Sequence, residues 1–272
     1  MPDQLKFEYL ARFGYAARGI VYVLVGGMAL LSSFAGGQTD QESALRMVLS
    51  QPLGWIWLGL IGLGLIGFIV WRLAQALLNA DGHPNEAKGY LIRGGMLISA
   101  ITYTGLASFA IQNALQLSFG GGSGNSKESW IAWLMQQPLG QFLIGVIGLA
   151  IIGAGAAQII KGVRRRYLKY VAISPQQHRI LDLACVYGLA ARGVVFLIIG
   201  SFFVYAAWAF DADQTGSTAE AMAWVRQLPF GGVLYAIVAL GLFAFGAYGL
   251  IEARYRIVRS PALSEAKRGL MA

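Results

Sequence analysis

Apolar residues gather in six blocks along the chain, at residues 15–34, 53–78, 94–117, 139–160, 185–210 and 231–253. A bilayer core of roughly 30 Å needs about 20 apolar residues at helical rise. A span surrounded by lipid must also satisfy its backbone polar groups within itself, so each block predicts a transmembrane helix. The polar breaks alternate in kind: the first, third and fifth are rich in Gly and Ser, carry a short amphipathic run (44–49, 130–134, 221–225) and end at Pro52, Pro138 or Pro229. Thr39-x-x-Glu42 and Ser217-x-x-Glu220 read as capping boxes that start two of these short helices. The prolines are placed to stop the short helix and open the next long one, since proline is tolerated only in a first turn.

This order is written three times. Gly14-Tyr15-Ala16-Ala17-Arg18-Gly19-Ile20-Val21-Tyr22 returns as Gly188-Leu189-Ala190-Ala191-Arg192-Gly193-Val194-Val195-Phe196, and Gln51-Pro52-Leu53-Gly54 returns as Gln137-Pro138-Leu139-Gly140 and Leu228-Pro229-Phe230-Gly231. Internal repetition at this period signals an architecture built by stacking one unit. The units run over residues 10–82, 83–173 and 174–260 of one membrane domain, 1–272. The middle copy admits two registers: an offset of 81 sets Arg93 on Arg12, Tyr103 on Tyr22 and Ser99 on Arg18, whereas an offset of 75 sets Arg93 on Arg18.

Composition supports the membrane reading, with 57% hydrophobic residues, 12% charged and 36 glycines in 272 residues. Basic residues divide 18 to 3 between the two sides that six spans define, which places both termini in the cytoplasm. The net charge of +8 is then a topology signal rather than a nucleic-acid footprint, and Arg164, Arg165 and Arg166 form an anchor for anionic lipid. Trp55, Trp57, Trp130, Trp133, Trp208 and Trp224 fall at the opposite interface as an aromatic belt. The N-terminal segment has the look of a signal peptide, but its internal recurrence at 188–209 argues against cleavage.

Reactive chemistry is sparse. The single Cys185 excludes an internal disulfide, and His83 and His178 lack metal-ligand spacing, so no metal or other cofactor is expected. The glycine-rich stretch 118–126 lacks the Lys-Ser/Thr ending of a phosphate loop and reads as linker. No catalytic motif is present, which points away from an enzyme. Matched small residues on the second helix of each unit (Gly59, Gly145, Ala236; Gly62, Gly148, Ala239; Gly67, Gly153, Ala244) are suited to close helix packing. Gln112, Asn113 and Gln116 are read as interhelical hydrogen-bonding groups.

The candidate polar site comprises Arg18, Arg192, Glu252, Arg72, Gln75, Gln158, Lys161, Tyr22 and Tyr103. Arg18 and Arg192 lie near a helix end, either snorkelling to headgroups or facing a cavity that holds an anionic group. Aligning the prolines stacks Arg72, Gln158 and Gly249 in one layer and Gln75, Lys161 and Glu252 in the next. Glu252 needs a cation and has Arg18, Arg192 or Arg256 to choose from.

The same residues carry a family resemblance. Gly14-x-Ala16-Ala17-Arg18-Gly19-x-x-Tyr22, the Pro-Leu/Phe-Gly signposts and Glu252-Ala253-Arg254-Tyr255-Arg256 resemble the bacterial membrane proteins catalogued as domain of unknown function 1206, and the middle repeat departs from that pattern at Ser99 and Ala100. The resemblance implies three two-helix units in a bacterial cytoplasmic membrane and no biochemistry. The expectation is an all-α, six-helix integral membrane bundle around a pseudo-threefold axis. Its expected role is binding or permeation of a small molecule or ion, such as a small anion or anionic lipid, through a cytoplasm-facing site. The alternative is an accessory subunit of a membrane complex whose protein partner is open.

Overall fold

The computed structural model describes residues 2–35, 41–116, 139–172, 179–209 and 218–258. Its helices are α1 (Pro2–Ala35), α2 (Gln41–Leu49), α3 (Gly54–Leu77), α4 (Ala87–Ala114), α5 (Gly140–Val163), α6 (Arg179–Ala209), α7 (Thr218–Gln227) and α8 (Gly231–Tyr255). Six of them, α1, α3, α4, α5, α6 and α8, are long and apolar enough to cross a membrane. Three begin well before their apolar blocks, because a helix can protrude from the hydrocarbon with polar first turns. In consequence Arg18 lies about four turns inside α1 rather than near its start. The short helices α2 and α7 stand where two amphipathic runs predict them. Thr39, Ser217, Pro138, His178, the run at 130–134 with Trp130 and Trp133, and the glycine-rich linker lie outside the described residues.

The signpost has a different geometry from the predicted one. Gly54 donates its N–H to the Gln51 carbonyl at 2.8 Å, and Gly231 does the same to Leu228 at 2.7 Å, so proline occupies the second position of a tight turn. The third position, Leu53, Leu139 or Phe230, is left-handed with φ of 57°, 67° and 60°, and the helix starts at the following glycine. Proline therefore sets the turn, not the helix start, as its fixed φ suits that turn position. A Cβ on Gly231 would collide with the Arg226 carbonyl, whereas one on Gly232 meets nothing within 4 Å. Gly231→Ala is expected to cost about 1–3 kcal/mol and Gly232→Ala almost nothing, read as thermal midpoints in neutral detergent. Equal midpoints would refute this account of the turn.

The packing order runs α4, α3, α1, α8, α6, α5, each helix seated on the next. Within the first unit Gly14 packs on Gly67 and Phe68, and within the third Gly188 packs on Ala244 and Phe245. The middle unit departs from this: α4 and α5 share no packed seam, and Gly95 and Gly153, the counterparts of Gly14 and Gly67, have nothing within 4 Å of an added Cβ. The cause is steric. In the outer units Gly64 meets the Ala17 methyl and Gly241 meets the Ala191 methyl, so closely that neither glycine has room for a Cβ. The middle unit has Ala150 where those glycines stand and Ile98 where those alanines stand. A methyl facing a β-branched side chain cannot fit where a hydrogen faces a methyl.

The matched small residues serve the seams that do form. Gly62 packs on Ile111, Gly148 on Gly200 and Val204, Gly59 near Ala114 and Gly145 near Ala207. The bonds described for Gln112 and Asn113 run to Ser108 and Phe109, one turn back on α4. They are thus intrahelical rather than interhelical, because each side chain reaches its own helix first. Trp55, Trp57, Trp208 and Trp224 are exposed, whereas Trp71 is buried beside Arg256.

Candidate functional site

The site grows from the junction of α1 and α8. Arg18 is followed by Gly19, and a Cβ there would come 2.9 Å from the Gly246 carbonyl oxygen and 2.9 Å from the Leu250 nitrogen. That close approach brings the Arg18 guanidinium onto Glu252, with Nη2 2.6 Å from Oε2 and both side chains 3% exposed. The other carboxylate oxygen of Glu252 accepts from Arg256 Nη1 at 2.7 Å. Glu252 therefore pairs with Arg18 and Arg256. Arg18 does not snorkel, since its charge is neutralised inside the bundle.

Arg256 is positioned from two sides. Its segment is clamped by Ala172 N–H donating to the Tyr255 carbonyl and Ile257 N–H donating to the Tyr170 carbonyl, both at 2.9 Å. Its Nη2 lies 3.1 Å from Asp81 Oδ2. Asp81 sits in the turn after α3, closed by Asn79 Nδ2 donating to the His83 carbonyl and His83 N–H donating to Asn79 Oδ1, each at 2.8 Å. Gln75 Nε2 donates to Asp81 at 2.6 Å, and Arg72 Nη1 donates to Gln75 Oε1 at 3.0 Å. Burial, ahead of the neighbouring charges, holds the His83 pKa below the ordinary histidine range, so this turn carries a neutral ring at neutral pH.

Aromatic rings separate and support the guanidinium groups. Phe68 lies between Arg18 and Arg72, at 5.0 and 4.8 Å from its centroid. Phe245 lies between Arg18 and Arg192 at 5.2 and 4.5 Å. Tyr15 lies between Arg18 and Arg256 at 5.2 and 4.9 Å and accepts a hydrogen bond from Trp71 Nε1 at 2.7 Å. The negative faces of such rings attract cations more strongly when water is excluded. Phe68 meets Tyr103 edge-on at 4.8 Å, and Phe245 meets Tyr22 in the same way at 4.8 Å.

Of the candidate residues, Arg18, Glu252, Arg72 and Gln75 join one network, Tyr22 and Tyr103 join it through the rings, and Lys161 reaches it by donating to Tyr248 Oη at 3.1 Å. Arg192 makes no hydrogen bond or ion pair among the described residues. It rests on the rings of Tyr22, Phe196 and Phe245, and its buried Nε has no partner. Gln158 stays half-buried on α5 and takes no part in these contacts. Sequence reasoning missed Asp81, Tyr15, Phe68, Phe245 and Tyr248. Phe68 and Phe245 occupy the same place in the first and third units, and that coincidence could have marked them. The cluster holds five cations, Arg18, Arg72, Lys161, Arg192 and Arg256, against two carboxylates, Asp81 and Glu252. Among the described residues no group of three or more His, Cys, Asp or Glu side chains could hold a metal ion.

The arrangement settles the register of the middle unit. Arg93 caps the end of α3 by donating to the Ala76 and Leu77 carbonyls at 2.7 and 3.1 Å, as Arg12 caps the end of α8 at the Ala253 carbonyl at 2.9 Å. Residues 12 and 93 are therefore counterparts, and the offset is 81.

Six apolar helices enclosing this array of guanidinium groups, rings and carboxylates define a multi-span membrane protein with a charged interior. The chain belongs to the family described as Domain of Unknown Function (DUF1206), whose model matches residues 13–79, 94–165 and 187–256, one two-span unit at a time. It is similar to the uncharacterized protein YxxB of Bacillus subtilis (strain 168), 34% identical over 250 residues that make up 90% of each chain. No solved structure matches.

Proposed function

We propose that the protein is a non-catalytic binder of a small anionic group, held at the cytoplasmic-side centre of a bundle with pseudo-threefold symmetry. Equivalent contacts support the symmetry: Gly19 packs on Gly246 as Gly193 packs on Gly155, and the pairs Tyr22–Phe245 and Tyr103–Phe68 recur. The 18 to 3 division of basic residues supports an orientation with both termini in the cytoplasm.

One observation carries the anion. In the α1–α8 seam the paired positions are Arg18 and Glu252, 2.6 Å apart. The equivalent positions in the α6–α5 seam are Arg192 and Lys161, two cations with no carboxylate. Among the described residues Arg192 has aromatic faces around it, and Lys161 has the hydroxyl of Tyr248 and the rings of Tyr170 and Tyr248. Both cations are half-buried, and a carboxylate or phosphate from outside the chain would supply an anion at the position where this seam has none. A guanidinium fork or an ammonium suits either group.

Lys161→Glu tests this by building the missing carboxylate into the chain. In neutral detergent, inorganic phosphate is expected to raise the thermal midpoint of the parent protein, because a ligand bound only to the folded state stabilises it by mass action. Lys161→Glu is expected to raise the midpoint without phosphate and abolish the phosphate response. A parent with no response, or a variant that responds as the parent does, would overturn the proposal.

A further inference from the structure

Resting on that reading of the anionic site, we infer that its ligand is an anionic amphiphile that enters sideways from the lipid, through the split between α4 and α5. The two observations behind this are independent of each other. One is the split seam: Gly94, Gly95 and Gly105 on α4 and Gly153 on α5 have nothing within 4 Å, where the outer units are closed by helix contact. Ile98 and Ala150 keep the seam from closing, and Ile98 is 63% exposed. These apolar, glycine-rich walls match an acyl chain, and a polar molecule would gain nothing from them.

The other observation is what flanks the split. Helix α4 contributes Tyr103 and helix α5 contributes Lys161 to the charged cluster. The Tyr103 side chain is 4% exposed, and its hydroxyl makes no hydrogen bond among the described residues. Each wall of the opening thus ends on the site, one with a buried hydroxyl and the other with a cation. An acyl chain between α4 and α5 would bring its anionic headgroup toward Tyr103 on one wall and Lys161 on the other. A soluble anion has the same head chemistry but no use for the apolar walls, so the tail decides between the two sources.

The test compares inorganic phosphate with dodecyl phosphate, using purified full-length protein in dodecyl maltoside. Dodecyl phosphate is expected to bind the parent at least about tenfold more tightly, since buried methylene groups add to the headgroup energy. Gly95→Trp with Gly153→Trp puts bulk into the split at two positions where an added Cβ meets nothing within 4 Å. It is expected to remove that advantage while leaving phosphate affinity within about twofold. Gly105→Trp alone serves as a milder plug if the double variant does not fold. Dodecyl phosphate binding the plugged protein as tightly as the parent would overturn lateral entry, as would equal affinity of the parent for both probes. If neither probe binds the parent, the anionic site itself fails and the inference fails with it.

Discussion

Glu252→Ala is expected to cost the protein about 3–5 kcal/mol, the usual result of stripping one partner from a buried ion pair. The loss falls mainly on Arg18, which is 2% exposed and has no other carboxylate partner among the described residues. Arg256 keeps Asp81 at 3.1 Å and is expected to stay charged and in place. The orphaned Arg18 would then rest on Tyr15, Phe68 and Phe245 alone, and rings recover about 2 kcal/mol or less each. Glu252→Leu combined with Arg18→Met removes both charges and is expected to regain most of the loss, because well-packed apolar residues often replace a buried pair without penalty. Thermal unfolding in neutral detergent reads all three proteins. A Glu252→Ala protein within about 1 kcal/mol of the parent would show that the pair adds little.

Much of this fold is legible in the sequence because the membrane leaves few choices. Six apolar blocks must be helices, and the repeated Ala-Ala-Arg-Gly and Pro-Leu/Phe-Gly phrases fix three units. The helix ends were not legible, since a polar turn continues a helix into water as readily as it ends one. Partner choice at Glu252 was not legible either. Arg18, Arg192 and Arg256 are equally plausible by type, and the choice depends on which helix α8 packs against, which Gly19 and Gly246 decide by permitting backbone contact. Asp81 escaped notice because its role depends on a turn closed by Asn79 and His83.

The split in the middle unit lay in plain view but needed the register. Once Arg93 is set on Arg12, Ile98 falls on Ala17, while the proline alignment puts Ala150 on Gly64, and the clash follows from side-chain size alone. The same alignment puts Lys161 opposite the arginine of the third unit. The middle copy therefore departs from the pattern in shape and in charge together, and it is the copy that flanks the proposed ligand.

The repeat yields its sharpest prediction where two equivalent glycines differ in what they hold. Valine at Gly19 would press on the Gly246 carbonyl oxygen and the Leu250 nitrogen, both 2.9 Å from its Cβ. Valine at Gly193 would press on the Gly155 carbonyl oxygen at 2.7 Å and on the Ile159 side chain at 2.6 Å. Steric strain alone makes these two changes alike, at about 1–3 kcal/mol each. Moving α1 off α8, however, also pulls Arg18 from Glu252, and a buried pair stretched in a dry interior loses several more kcal/mol, on the order of the Glu252→Ala loss. At the positions of Arg18 and Glu252 the α6–α5 seam has Arg192 and Lys161, two cations that form no ion pair, so loosening it there stretches none. Gly19→Val is thus expected to lower the thermal midpoint far more than Gly193→Val, although the latter makes the shorter contacts. Saturating phosphate is expected to narrow the gap from the other side, by making Gly193→Val costlier once an anion is held in that seam. Equal losses with and without phosphate would mean that both seams are held by packing alone, and that the charges of the middle and third units have no ligand to share.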